Sequence, residues 1–210
     1  MKLLVIGATG QNGRHVVERA LAEGHEVVAF APDPARLGLS GERLTVVAGD
    51  VLDPTALKEP VAGSDAVVFT VGVARRTTTT LFSEGIRSTV EAMEASGVKR
   101  LVCVSTCMIA IGPHLGLVRQ YYSEFVLERI MRNIYLDLAR MEDEVAVSNL
   151  DYTVIRAGRP GDGPRTGSYR TSVNASIRRP GRLSHADLAD YVLRCIDEPE
   201  TYRATVDVAY

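Results

Sequence analysis

Apolar residues along this chain come in short unbroken runs, separated by stretches in which they recur every three or four positions. The runs Leu3–Ile6, Glu26–Ala31, Leu44–Ala48, Ala66–Val71, Arg100–Ser105 and Tyr152–Arg156 predict strands, with a short further strand at Tyr169–Val173 and a last one at Thr205–Val208. Helical spacing covers Gln11–Glu23, closed by Gly24, and Pro54–Glu59, where Pro60 is expected to end the helix. It returns in Thr80–Ser96 before Gly97, across the long segment Tyr121–Ser148, and in Ser184–Ile196. Ser184 followed three residues later by Asp187 is a variant of the capping box. Strands apolar throughout, alternating with helices, imply a parallel sheet covered on both faces. The expected fold is a doubly wound, three-layer α/β/α single domain over residues 1–210, with no internal repeat or linker. Arg159–Gly167 is rich in Pro and Gly and has no period, so a loop covering a ligand is expected there.

In such folds ligands bind beyond the carboxyl ends of the strands. The first strand runs into Gly7-x-x-Gly10-x-x-Gly13, which has one more residue in its first gap than the dinucleotide-binding fingerprint. The order strand, glycines, helix supports that reading. Gly7 permits a tight turn, Gly10 lets the backbone approach a pyrophosphate, and Gly13 lets helix and strand pack closely. The nucleotide-phosphate loop requires Gly-Lys-Ser/Thr, which is missing. Thr9, Gln11 and Asn12 belong to the same loop. Asp50-Val51 and Val71-Gly72, after the third and fourth strands, are candidates to flank adenine and its ribose, with helix capping as the other role open to Asp50. Ser105-Thr106 would approach the nicotinamide end. Asp33 comes late for the ribose-binding acid of NAD sites, while Arg14 and Arg36 are cations suited to a 2′-phosphate or else to solvent. NADP is therefore the preferred cofactor, with NAD possible.

Composition narrows the partners. Apolar residues make up 46% and charged residues 24%, and the net charge is −2, which gives no general attraction to nucleic acid or to an anionic membrane. The arginines at 178, 179 and 182 have no interleaved aromatics and are expected to form a solvated face. No apolar run reaches the ~20 residues of a membrane span, and the start of the chain has no signal segment, so a cytoplasmic location is expected. Cys103, Cys107 and Cys195 cannot all pair, and the scattered histidines offer no metal spacing. The sequence shows no stripe that would fix an oligomer, which leaves a monomer or a small homo-oligomer.

The chain also excludes some chemistry. Its lysines are Lys2, Lys58 and Lys99, so none of its tyrosines, the first of which is Tyr121, can be followed by the lysine of a carbonyl-reducing dyad. No Gly-x-Ser-x-Gly elbow is present. Hydride transfer to a small planar conjugated acceptor remains, because such an acceptor can take its proton from water. The alternative is a dinucleotide sensor acting through a protein partner.

Taken together, GATGQNG, Gly49-Asp50-Val51, Val61-Ala62-Gly63-x-Asp65-Ala66-Val67, Ser83-Glu84-Gly85, Ser148-x-Leu150-x-Tyr152, Gly161-Asp162, Thr166-Gly167-x-Tyr169 and Asp187-Leu188 resemble the NmrA-like, NAD(P)H-binding atypical short-chain dehydrogenases. They are most similar to the branch containing biliverdin reductase B and flavin reductase. The resemblance implies a dinucleotide over Gly10 to Gly13, adenine near Asp50 and Val51, and Thr106 in the place of an active-site serine beside the nicotinamide. It also draws attention to Asp137, Arg140, Met141 and Glu142, with Glu142 either orienting substrate or ribose or simply following helical spacing. Substrate-pocket elements are expected in about 106–142 and 157–183. Arg156 is expected to hold the following loop through backbone carbonyls.

Overall fold

The structure, a computed structural model, describes residues 1–73, 79–107 and 128–210. The elements in order are β1 (Lys2–Ile6), α1 (Gln11–Ala22), β2 (Glu26–Ala31), β3 (Leu44–Ala48), α2 (Pro54–Val61), β4 (Ala66–Phe69), α3 (Leu81–Ser96), β5 (Arg100–Thr106), α4 (Glu128–Ala146), β6 (Asp151–Ala157), β7 (Arg159–Gly161), β8 (Arg170–Val173), β9 (Arg182–Ser184), α5 (His185–Arg194) and β10 (Ala204–Ala209). Eight strands form one sheet in the order β3-β2-β1-β4-β5-β6-β10-β8. Neighbours are parallel except β8, which lies antiparallel on β10 at the edge. The winding direction reverses between β1 and β4, and the carboxyl ends of these two strands open the crevice where such folds bind ligands. The doubly wound α/β fold expected from the sequence is the fold observed.

Alternation along the strands divides the core into two layers. Leu3, Val5, Val102, Val104, Ile155 and Val206 face α1 and α5. Leu4, Ile6, Val67, Phe69, Leu101, Cys103 and Val154 face α2, α3 and α4. Burying both faces of the central strands is what makes their apolar runs unbroken.

Three buried charges tie the layers together. The Arg100 guanidinium, at the amino end of β5, donates to the carbonyls of Ile196 (2.8 Å), Cys195 (2.5 Å) and Asp151 (2.7 Å) and to Thr153 Oγ1 (2.9 Å). It also lies 4.3 Å over the Tyr202 ring. Asp137 of α4 accepts from Phe82 N (2.9 Å) and Ser83 Oγ (2.5 Å), so it covers the amino end of α3. Asp187 of α5 accepts from Thr166 N, Gly167 N, Thr166 Oγ1 and Tyr210 Oη at 2.6–2.8 Å. It thereby pins both the loop after β7 and the last residue of the chain.

Several elements differ from the sequence expectation. Pro60 does not stop α2: the helix runs one residue past it to Val61, and the Pro60 ring is buried. Strand four ends at Phe69, before Val71, where the chain turns into the crevice. The aperiodic stretch from Arg159 contains β7, paired in parallel with β9. Three-residue strands carry too few positions to show an alternation. Ser184 caps α5 through Asp187 N (3.0 Å), but the Asp187 carboxylate turns to Thr166, Gly167 and Tyr210 instead of closing the box. Tyr121, Tyr122 and the rest of 108–127 lie outside the described residues, as do Thr77 and Thr78. The described part of the long periodic segment is helical from Glu128. Among the described residues no helix is long and apolar enough to cross a membrane, and no group of His, Cys, Asp and Glu is placed to hold a metal.

Burial pushes the Asp187 carboxyl up, but hydrogen bonds from Tyr210, Thr166 and Gly167 outweigh it and hold the carboxyl below its ordinary pKa. A depressed folded-state value stabilises the fold above the unfolded pKa of about 4 and loses that contribution as pH falls through the folded value. Asp187→Ala leaves two backbone N–H groups without their acceptor, and a loss of about 2–4 kcal/mol is expected at neutral pH. Urea unfolding of the variant and the wild type should show this gap at pH 7, narrowing in acid.

Candidate functional site

At the carboxyl ends of β1, β2, β3 and β4 lies a cleft of about 640 Å³. Its floor is the glycine loop. Gly7 has φ +83°, a left-handed conformation that a side chain would strain. A Cβ on Gly13 would come within 2.3 Å of Gly7 O and 2.7 Å of Thr70 Oγ1. That approach seats α1 against β1 and β4. Gly10 is the N-cap of α1 and brings no side chain, and the first turn has no acid. The open N–H groups and the positive end of the helix therefore point into the cleft, an arrangement that favours an anion.

The cleft lining includes Gly7, Thr9, Gly10, Gln11, Asn12, Arg36, Asp50, Val51, Val71 and Gly72, all expected from the sequence to bind the cofactor. Arg36 follows the end of β2 and is the cation on that side. Asp50 accepts from Leu52 N (3.0 Å), while the cap of α2 is Asp53, whose carboxylate accepts from Thr55 N (2.9 Å). Gly13 lies beneath the loop, fully buried and in contact with it. Arg14 departs from the expectation. It is outside the lining and pairs with Glu18 one turn along α1 (3.0 Å), the simplest partner for an exposed helical arginine.

Of the three residues expected to act near the reacting end, Ser105 and Glu142 meet and Thr106 faces the other way. Ser105 continues the alternation of Leu101 and Cys103, so it turns toward α4 and donates to Glu142 Oε1 (2.6 Å). Glu142 also takes both Arg156 Nε (3.1 Å) and Nη2 (2.5 Å). This pairing, above all the hydrogen bond, raises the Arg156 pKa. Arg156 thus holds a carboxylate, not the backbone carbonyls expected from the sequence. The trio bridges β5, β6 and α4. Neither Ser105 nor Glu142 lines the cleft. Thr106, one residue on, faces the opposite side at the carboxyl end of β5, in register with Ala157, and is partly exposed.

Sequence reasoning missed other residues. Thr70 donates to Ile6 O (2.8 Å) and closes the crevice between β1 and β4. Phe30 O accepts from Gly7 N (3.0 Å) and so holds the glycine turn to β2. His185 of α5 is also missed; it forms the far wall together with Pro160 of β7, which lies in the Arg159–Gly167 stretch expected to cover a ligand. No local period marks these positions. Tertiary packing brings the segment after β6 back over the first helix.

A sequence profile of the NAD(P)H-binding family matches residues 7–199. The photosystem II assembly factor Ycf39 of Synechocystis is 25% identical over 222 residues, an alignment covering 99% of this chain and 62% of that protein. The chain thus spans less than two thirds of that relative's length. Among solved structures, the oxidoreductase ylbE of Lactococcus lactis superposes with a TM-score of 0.82 at 18% identity, covering 100% of this chain and 90% of its own. A protein of Streptococcus pneumoniae provisionally described as an NADH-flavin reductase superposes at 0.79 with 19% identity, covering 100% and 99%. At such identities the likeness to both structures is one of fold. The sequence match over nearly the whole chain, together with a glycine loop that opens the first helix into a cleft, places the protein in the NAD(P)H-binding family.

Proposed function

We propose that this protein is an NAD(P)H-dependent reductase that passes hydride to a flavin or to another planar conjugated acceptor such as a quinone or a tetrapyrrole, as in the biliverdin reductase B and flavin reductase branch. The observation that carries the proposal is the uncapped amino end of α1 opening into the 640 Å³ cleft. The cleft residues suit a dinucleotide: donors for the pyrophosphate at Gln11 and Asn12, Arg36 for a 2′-phosphate and Asp50 for a ribose. When bound, the dinucleotide supplies the hydride. The chain binds it, orients it and keeps water from its face. Thr106 offers a hydroxyl at the carboxyl end of β5 to the reacting end, and Ser105, Glu142 and Arg156 act behind it as positioning residues.

The absence of lysine after position 99 supports an acceptor that takes its proton from water. The provisional description of the pneumococcal structure as a flavin reductase agrees with this class. A second reading, a dinucleotide sensor acting through a protein partner, draws support from Ycf39, an assembly factor by name, whose alignment covers 99% of this chain.

The decisive assay is oxidation of NADPH and NADH with FMN, riboflavin, quinones and biliverdin. The reductase reading expects turnover with at least one acceptor. Dinucleotide binding without turnover, with different affinities for the oxidised and reduced forms and a partner recovered by affinity capture, supports the sensor. Arg36→Ala should weaken NADP binding about tenfold or more while leaving NAD within about twofold, because only NADP loses a charge-assisted contact. Titration of both nucleotides by calorimetry measures this difference. Thr106→Val should lower kcat about tenfold at unchanged dinucleotide affinity, the worth of one hydrogen bond, and Thr106→Ser should restore it.

A further inference from the structure

His185 is the first residue of α5, and its ring lines the cleft beside Asn12 and Pro160. Only 6% of its surface is exposed. Its Nδ1 is 2.6 Å from Asn12 Oδ1. That oxygen only accepts, so Nδ1 carries the proton of the neutral ring. The other nitrogen, Nε2, is then a bare lone pair with no hydrogen-bond partner among the described residues. Asn12 is the second residue of α1, so the imidazole is one side chain away from the open N–H groups of the helix.

Among the described residues the charges around the ring are few. From α1 it faces His15, with ring centroids 5.6 Å apart. From the segment after β7 it faces Asp162. Across the cleft stand Arg36 and Asp50. Burial first, and then the neighbouring His15, hold the imidazole below its ordinary pKa, with Asp162 acting in the opposite direction. The ring is therefore neutral near pH 7 in the ligand-free protein. A neutral Nε2 presents a lone pair to any ligand that reaches it at this wall of the cleft. An anion there would meet repulsion, unless the nitrogen gains a proton and becomes a donor.

We propose that His185 is an anion contact of the dinucleotide site, taking one proton from solvent onto Nε2 as the pyrophosphate docks and donating it as a charge-assisted hydrogen bond. The inference rests on the reading that the cleft holds a dinucleotide. Dinucleotide binding is then coupled to proton uptake, and affinity rises as pH falls.

NAD is the first probe, because its pyrophosphate does not titrate near neutrality, whereas the 2′-phosphate of NADP changes charge at about pH 6. Calorimetry in two buffers of different ionisation enthalpy counts the protons taken up. The wild type should take up a fraction of a proton per NAD at pH 7, and its Kd should fall about three- to tenfold between pH 8 and pH 6.5. His185→Gln keeps an amide to meet Asn12 and should bind NAD with no uptake and a flat pH profile. His15→Gln should keep the uptake. NMR of the wild-type imidazoles avoids reliance on any variant: the His185 pKa should rise when NAD binds, and an unmoved value overturns the proposal. Uptake that persists in His185→Gln, or is absent from the wild type, overturns it as well. If NAD binds too weakly, the same comparison with NADP uses the difference between wild type and His185→Gln, in which the 2′-phosphate cancels. Failure of the wild type to bind either dinucleotide overturns both this proposal and the functional reading; binding without a His185-linked proton overturns this proposal alone.

Discussion

The structure depends on a close approach of backbone to backbone at the first turn. Gly13 carries no Cβ because any such atom would sit 2.3 Å from Gly7 O and 2.7 Å from Thr70 Oγ1. Neither neighbour has room to yield. Gly7 is fixed by its positive φ and by its bond to Phe30 O, and the Thr70 hydroxyl is held by Ile6 O. The missing side chain therefore lets α1 drop onto the junction of β1 and β4, the point at which the sheet reverses its winding. The same contact buries Val16, Val17 and Ala20 against the sheet and aims the helix end into the cleft. Packing and the geometry of the site follow from one steric requirement.

How the helix amino ends are satisfied sets α1 apart. α2 is capped by Asp53, α5 by Ser184, and α3 by Asp137, which reaches across from α4. Each fills open N–H groups with an oxygen from the chain, as buried helix ends require. α1 has no such side chain and no acid in its first turn. Its donors face the cleft, where no side chain of the described residues caps them. The fold thus supplies internal acceptors to the amino ends of α2, α3 and α5 and leaves the donors of α1 facing outward, which is the physical content of a phosphate site.

Much of this was legible in the sequence because it is carried by local periods and by residues with special backbone needs. Unbroken apolar runs gave the parallel order of the strands, and the glycine spacing gave the loop together with most of the lining from Gly7 to Gly72. What stayed hidden depends on contacts distant in sequence. His185 is 173 residues from Asn12, yet they share a hydrogen bond. Arg156 and Glu142 find each other only because β6 lies beside β5 under α4. The Asp187 carboxylate follows a cap signal correctly placed, but Thr166 and Tyr210 offer it stronger donors than its own helix end. Arg156 and Asp187 are expected to serve chain neighbours and the fold supplies a better partner, while His185 has no expected partner at all.

The location of the charges argues further about chemistry. Ser105 and Glu142 are adjacent, but Arg156 neutralises the pair, and neither residue lines the cleft. A carboxylate engaged by a guanidinium is a poor proton carrier, because giving or taking a proton would break the ion pair. Among the described cleft residues, Arg36, Asp50 and His185 are the ionisable ones; Asp50 accepts from Leu52 N, and His185 is held by Asn12. Among the described residues the site thus offers positioned donors for an anion and few groups that release protons to a substrate. A chain built this way suits a reaction whose acceptor spreads the incoming charge over its own conjugated system, because the protein then has to bind, align and shield and need not protonate.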